Sequence, residues 1–139
     1  MIFTNSDFYE LKIKHAKEIL SLLIHLQEEF DVLSQLEGVE FDPKLPEHIS
    51  SQFKDVILFS LANYTLSTAK LNEGYLTFEA GFGEENFGSF VKVPVENIIQ
   101  ITQEETPLFI NVSATLPKPK KEEPKNPFAL NPRNKKLLD

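Results

Sequence analysis

Histidine is the side chain in this sequence best suited to acid–base catalysis or metal binding, and it occurs three times, at His15, His25 and His48. On a helix, His15 and His25 would lie about three turns apart and on different faces, so they could not bind one metal ion together. Adjacent acidic residues occur as three pairs, at Glu28-Glu29, Glu84-Glu85 and Glu104-Glu105. Because a catalytic acid and its base usually converge from different elements, these pairs are more typical of a solvated surface.

The spacing motifs of common enzymes are absent from the sequence. It contains no GxSxG, HExxH or P-loop pattern. It also contains no cysteine, which excludes disulfides, thiol nucleophiles, cysteine-based zinc sites and iron–sulfur clusters. We therefore expect a protein that is not an enzyme and that uses no cofactor and no metal ion.

The composition fits one globular domain, but the charge is unevenly distributed. Of 139 residues, 41% are hydrophobic and 25% charged, and the net charge is −7. Residues 117–139 contain seven basic and three acidic residues, a charge of +4, which leaves −11 on residues 1–116. Such an acidic body disfavours nucleic-acid binding over most of its surface. No apolar run is long enough to span a membrane and no signal peptide is recognisable, so we expect a soluble cytoplasmic protein.

The first part of the chain has the apolar pattern of one long amphipathic helix, from Asp7 to about Gln35. Asp7 and Glu10 resemble a capping box, and Gly38 stands where a left-handed cap would follow the helix. About 29 helical residues would span roughly 43 Å, more than the width of a domain of this size. We therefore expect the helix to form a homodimer, with interface candidates Leu11, His15, Leu22 and Leu26.

After a loop marked by Pro43 and Pro46, the pattern changes to β-branched, aromatic and alternating residues. The turn at 72–74 predicts a hairpin over 64–82, and Pro94 is expected at a strand end or sheet edge. The fold class predicted is α+β, a long helix packed on about five strands. These strands are expected at 56–62, 64–71, 75–82, 89–95 and 107–112.

Residues 117–139 have a composition that cannot bury enough apolar surface to fold. Five prolines fall within 16 positions, mixed with lysine, glutamate and asparagine. The apolar exceptions are the segment from Pro127 to Leu130 and the pair Leu137 and Leu138. The sequence predicts a folded domain over 1–116, followed by a disordered tail.

Three stretches resemble the stringent starvation protein B (SspB) family: VILFSLAN at 56–63, LTFEAGFG at 76–83 and VKVPVENIIQI at 91–101. In that family an apolar strand, a strand ending in a Phe-x-Ala-x-Phe-Gly pattern and a Val-Pro-hydrophobic turn follow at nearly this spacing. The resemblance covers about residues 40–112. It implies an N-terminal helix on an Sm-like β half-barrel, and a non-enzymatic adaptor that delivers substrates carrying an ssrA-like degradation tag to the ClpXP protease.

The resemblance also implies which residues do this work. Leu137 and Leu138 correspond to the end of the tail that docks on ClpX, and the helix would form the homodimer. Gly81 stands where many family members have a basic residue, and Glu84 and Glu85 beside the groove disfavour an acidic tag. Carried over position by position, the peptide-binding candidates are Phe59, Leu61, Asn63, Phe78, Ala80 and Phe82.

Two other functions stay open. An Sm-like barrel could bind nucleic acid, although the charge of −11 on the body opposes it. Alternatively, the protein could be a scaffold whose long helix pairs with an unrelated partner. Peptide capture suits a small β domain with an open edge and a phenylalanine-rich face, whereas Phe78, Ala80 and Phe82 could simply line the core.

Overall fold

One long helix, two short helices and two antiparallel sheets make up the fold in the computed structural model, which describes residues 1–115. The helices are α1 (Ser6–Leu26), α2 (Glu47–Ser50) and α3 (Asn63–Thr68), with 3-10 turns at Ile2–Thr4, Val95–Asn97 and Val112–Thr115. The strands are β1 (Phe30–Gln35), β2 (Glu40–Asp42), β3 (Val56–Leu61), β4 (Lys70–Asn72), β5 (Tyr75–Phe82), β6 (Phe87–Pro94), β7 (Ile98–Gln103) and β8 (Thr106–Ile110).

The eight strands form two separate sheets of four. Sheet 1 has the order β3-β1-β7-β8, and sheet 2 has the order β2-β6-β5-β4. The predicted α+β class is therefore confirmed. The predicted tail at 117–139, including Leu137 and Leu138, lies outside the described residues.

Helix α1 ends at Leu26, so the prediction that it continues to Gln35 is wrong. Gln27 adopts a left-handed conformation with φ of 54° and ends the helix, and its backbone N–H bonds to the Ile24 and Leu23 carbonyls. Residues 30–35 then alternate between buried and half-buried, which is the period of a strand. They form β1, which pairs with both β3 and β7 in the middle of sheet 1.

The helix caps also differ from the prediction. The N-cap is Asn5, whose side-chain oxygen accepts the backbone N–H groups of Asp7 and Phe8 at 2.9 and 3.0 Å. Gly38 has φ of +89° and lies in the turn between β1 and β2. Its left-handed conformation was predicted correctly, but it belongs to a strand turn rather than to the helix end.

Four of the five predicted strands are confirmed and one segment is corrected, and residues 1–115 contain eight strands rather than about five. Strands β3, β5, β6 and β8 match the predicted segments, and Pro94 is the last residue of β6. The segment 64–71 is instead α3 followed by β4. Ser67 and Thr68 donate their hydroxyl protons to carbonyls three residues earlier, which stabilises a helical turn, so the hairpin extends only from Lys70 onward.

The hydrophobic core lies between the sheets and beneath α1. The helix contacts β4 of sheet 2, β8 of sheet 1 and the 3-10 turn at 95–97, so it lies across an edge of each sheet. Ala16, Leu20 and Leu23 point from it into the core. Tyr9 donates a hydrogen bond to Glu96 at 2.9 Å. Burial raises the pKa of Tyr9, and this hydrogen bond raises it further. Among residues 1–115, no helix has the length and hydrophobicity needed to cross a membrane.

Candidate functional site

A cleft of about 810 Å³ lies at the free end of the β5–β6 hairpin. Its floor is made of the last residues of β5 and the first residues of β6. One wall is the start of α3, and the other is the end of β2. The lining residues are Glu79, Ala80 and Gly81 of β5, Gly88, Ser89 and Phe90 of β6, Ala62 to Thr65, Asp42, Pro43 and Asn86.

The edge of β5 facing α3 is only half covered by a neighbouring strand. Within residues 1–115, β4 pairs with β5 only from Tyr75 to Thr77. Beyond this point the side chain of Thr68 takes over, accepting the backbone N–H of Glu79 at 2.9 Å. The edge past Glu79 lies in the cleft, where a segment in extended conformation could add to the sheet.

Two paired glycines lie in the floor of the cleft, and the backbone is bare at one of them, Gly88. Gly81 of β5 lies opposite Gly88 of β6. A Cβ on Gly81 would overlap the side chain of Asn86, whereas a Cβ on Gly88 would meet no atom within 4 Å. A larger residue at 81 would have to displace the Asn86 side chain, whereas Gly88 leaves the backbone open to the close approach of another chain.

The cleft has a negative electrostatic character. Asp42 and Glu79 line it, and no lysine, arginine or histidine does so. Tyr64 donates a hydrogen bond to Glu79 at 2.7 Å, and this bond to a carboxylate raises the pKa of Tyr64. A neutral or basic ligand fits these charges better than an acidic one.

The six predicted peptide-binding residues divide into two groups. Asn63 and Ala80 line the cleft. Phe59, Leu61 and Phe78 are buried in the core, and Phe82 is half-buried. The structure thus places Asn63 and Ala80 at the cleft surface and Phe59, Leu61 and Phe78 in the core, while the half-buried Phe82 does not line the cleft.

Three of the six predicted residues, Phe59, Phe78 and Phe82, belong to a cluster of aromatic rings. Only these three of its members were predicted from the sequence. The ring centroid of Phe59 lies 5.2 Å from that of Phe78 and 6.4 Å from that of Phe82. Phe41 and Phe53, which were not predicted, contact the same cluster, with Phe41 edge-on to Phe82 at 5.6 Å. Strand alternation at 39–42 was the available signal for Phe41, but Phe53 lies outside any regular element.

The loop between β2 and β3 holds α2 over this end of the molecule. Ile49 of α2 is buried and lies next to Gly83 in the β5–β6 turn. His48 Nε2 lies 2.6 Å from Glu85 Oε2 across the same gap. This ion pair joins α2 to the turn and is exposed to solvent.

The four predicted dimer residues share one exposed stripe of α1. At about 100° per residue, Leu11, His15, Leu22 and Leu26 fall within an arc of roughly 60°. The three leucines are 57%, 58% and 57% exposed, and the ring of His15 packs edge-on against Phe109 at 5.6 Å. Apolar side chains with this exposure are available to a second molecule.

Within residues 1–115, no group of three or more His, Asp or Glu side chains could hold a metal ion. The chain matches no protein-family model, and a search of curated proteins finds no significant relative. The cleft and the exposed stripe of α1 are therefore interpreted from their own geometry.

Proposed function

We propose that this protein is a non-enzymatic adaptor of the SspB type. It binds an extended degradation tag in the cleft and delivers the tagged protein to the ClpXP protease. The observation that carries the proposal is the open edge of β5 beside the bare backbone at Gly88, because ladder hydrogen bonds and close backbone approach are what an extended peptide needs.

The position of the resembling stretches supports the proposal. VILFSL is β3, LTFEAGF lies within β5, and the last stretch covers the end of β6 and most of β7. Two of these strands carry predicted peptide-binding residues, and β5 forms part of the cleft floor. The proposal includes an Sm-like half-barrel as the arrangement of these strands.

The charges around the cleft bear on which tag it would bind. Asp42 and Glu79 line the cleft, and Glu84 and Glu85 lie in the adjacent turn. Acidic tag residues would be repelled, whereas basic or neutral ones would be accepted. We therefore propose a tag with neutral or basic residues at the positions that cross the β5–β6 hairpin.

The proposed adaptor is a homodimer formed through α1. The exposed leucines of the helix provide the apolar surface, and a two-fold axis would bring the same stripe from both copies together. Leu137 and Leu138 are the proposed contacts with ClpX. Two tails on one dimer would raise the effective concentration of the substrate at the protease.

A substitution that fills the cleft tests the proposal. Gly88→Val places a β-branched side chain on the floor, where there is open space, so we expect the fold to be retained and tag binding to be lost. Thr106→Ile is the control, because it adds apolar volume at an exposed strand position outside the cleft. Fluorescence anisotropy with labelled acidic, neutral and basic tag peptides measures binding.

A pull-down with purified ClpX completes the experiment, with and without a tagged substrate. We expect the wild-type protein to bind both and Gly88→Val to bind only ClpX. If the wild-type protein bound none of the peptides, the adaptor function would be wrong. If Gly88→Val bound the tag as tightly as wild type, the cleft would be the wrong site.

A further inference from the structure

The outward face of sheet 1 is an exposed aliphatic surface on the opposite side from its core face. The strand register places Leu58, Leu33, Gln100 and Ile110 in one row across β3, β1, β7 and β8. Leu58 is 58% exposed and Ile110 is 50% exposed. We define the sheet 1 outer face by the aliphatic residues Leu33, Val56, Leu58, Leu108 and Ile110. Gln100 interrupts the row between Leu33 and Ile110, but exposed or half-buried aliphatic side chains on three of the four strands suit an interaction site.

The surroundings of this face are acidic. Asp31 lies on it, one row from Leu33. Glu28, Glu29 and Glu104 line a hollow of about 520 Å³ where β1 begins and β7 ends, and Asp31 lines it as well. The four strands of sheet 1 contain no lysine or arginine. The face therefore fits a partner segment that is both apolar and basic.

A segment with this chemistry is present in the same chain. Pro127 to Leu130 is an apolar run, and it is flanked by Lys125 on one side and Arg133, Lys135 and Lys136 on the other. Residues 117–139 carry +4, while residues 1–116 carry −11. We propose that residues 125–136 bind the sheet 1 outer face, with Phe128 and Leu130 on the aliphatic row and the following basic residues at the acidic hollow.

The connection from the described chain is long enough for this contact. Gln35 Nε2 donates a hydrogen bond to the Ala114 carbonyl at 3.2 Å, so the chain leaves the domain beside the end of β1. Twelve residues separate Thr115 from Phe128, a root-mean-square reach of about 20 Å. Four strands spaced at about 4.8 Å are roughly 14 Å across, so the aliphatic row is within reach.

The order of residues in the segment also matches the order of features on the face. The chain leaves near Gln35, the aliphatic row lies at Leu33, and the acidic hollow lies beyond Phe30 at the start of β1. The apolar run comes first in the segment and the Arg133 to Lys136 cluster follows. Because the contact is within one chain, an effective concentration on the order of millimolar favours it even when each contact is weak.

This inference does not rest on the proposed adaptor function, because it concerns a different face of the molecule. If both hold, bound residues 125–136 would shorten the free part of the tether and leave Leu137 and Leu138 available.

Paramagnetic relaxation enhancement on the full chain tests the contact. The sequence has no cysteine, so Asn131→Cys gives a single site for a nitroxide label. We expect the amide signals of Leu33, Leu58 and Ile110 to lose more than half of their intensity relative to the reduced label. Signals of Phe90 and Lys92 on sheet 2 are expected to be unchanged. A double variant, Phe128→Ser with Leu130→Ser, keeps every charge and is expected to restore the sheet 1 signals.

A mixed sample identifies which chain supplies the segment. Isotope-labelled chain without nitroxide is combined with unlabelled chain carrying it, and we expect no broadening. Broadening in the mixed sample equal to that in the single-chain sample would overturn the proposal, since the segment would come from another copy. Broadening centred on sheet 2, no broadening at all, or an unchanged effect in the double variant would each overturn it as well.

Discussion

Phe59 and Phe82 belong to one ring cluster but differ in burial, so substitutions at the two positions should act differently. Phe59 is 3% exposed, and Phe59→Ala is expected to destabilise the fold by roughly 3–5 kcal/mol because it leaves a cavity. Phe82 is half-buried and directly follows the cleft residues Ala80 and Gly81 in β5, so Phe82→Ala should cost less stability and weaken tag binding by about 1 kcal/mol or more. Urea denaturation followed by anisotropy on folded protein separates the two effects.

The opposite ranking would contradict this assignment. If Phe59→Ala lost less stability than Phe82→Ala, the burial of the two rings would not control their roles. If folded Phe82→Ala bound the tag with unchanged affinity, Phe82 would belong to the core alone.

The carboxyl group of Glu85 has a lowered pKa. A hydrogen bond from its own backbone N–H lowers the pKa of Glu85 below its ordinary value of 4.5, and the hydrogen bond to His48 lowers it further. A lowered folded-state pKa contributes stability above about pH 4.5, and this contribution is lost as the pH falls through the folded pKa. We expect the carboxylate to stay ionised below pH 4.5.

The variant His48→Ala separates the two causes. Because the backbone hydrogen bond is the larger one, the pKa of Glu85 in His48→Ala should rise but remain below 4.5. Side-chain carboxyl signals in an NMR pH titration measure it. A full return to 4.5 would mean that the ion pair, and not the backbone, controls this group.

At the scale of elements, α1 has one face that packs in the core and one exposed face that is proposed to form the dimer. Its core face carries Leu20 and Leu23, and its exposed stripe carries Leu22 and Leu26. Because Leu22 and Leu26 are more than half exposed, Leu22→Glu with Leu26→Glu should leave the domain folded and split the dimer. Sedimentation gives the oligomeric state, and circular dichroism reports the fold.

Ser21→Glu is the matched control, since Ser21 is exposed on α1 but lies off the stripe. It adds one negative charge, whereas the double variant adds two, and it should leave the proposed dimer intact. A wild-type protein that stays monomeric at high micromolar concentration would contradict dimerisation, and unfolding of the double variant would show that the stripe contacts its own domain.

At the scale of the whole molecule, charge and apolar surface are divided between the body and residues 117–139. Removing residues 127–139 should leave folding, dimerisation and tag binding unchanged, because residues 1–115 contain the core and the cleft. Delivery to ClpXP at low substrate concentration should be lost, since the tether raises effective concentration. Degradation of a tagged reporter by purified ClpXP measures this.

A narrower variant, Leu137→Ser with Leu138→Ser, keeps every charge and removes only the aliphatic side chains proposed to contact ClpX. It should reproduce the truncation. Undiminished delivery by the truncated protein would remove the tail from the mechanism while leaving the cleft and its peptide untouched.

The sequence by itself determined the features that depend on local pattern. Alternation over 75–82 predicted β5 at its observed bounds, and the three- and four-residue spacing predicted the amphipathic helix α1, though not its end. The charge difference between residues 1–116 and 117–139 is also a property of composition alone. Each of these depends on a period or a count that no distant residue changes.

Where a local pattern fits both a helix and a strand, only the tertiary structure decided which of the two forms. Phe30 and Leu33 continue the helical spacing, but residues 30–35 also alternate, and pairing with β3 and β7 satisfies their backbone groups in the middle of a sheet. These partners lie more than 20 residues away in sequence, beyond what a pattern in one window can register.

The cleft likewise depends on distant contacts. It exists because β4 begins only at Lys70 and α3 occupies the space beside β5, where the Thr68 side chain accepts the backbone N–H of Glu79. Burial then decided which predicted residues can touch a ligand, placing Phe59 and Phe78 in the core and Asn63 and Ala80 at the surface. Residue type sets which contacts a side chain can make. The packing of the other elements against that side chain decides whether it is exposed to solvent.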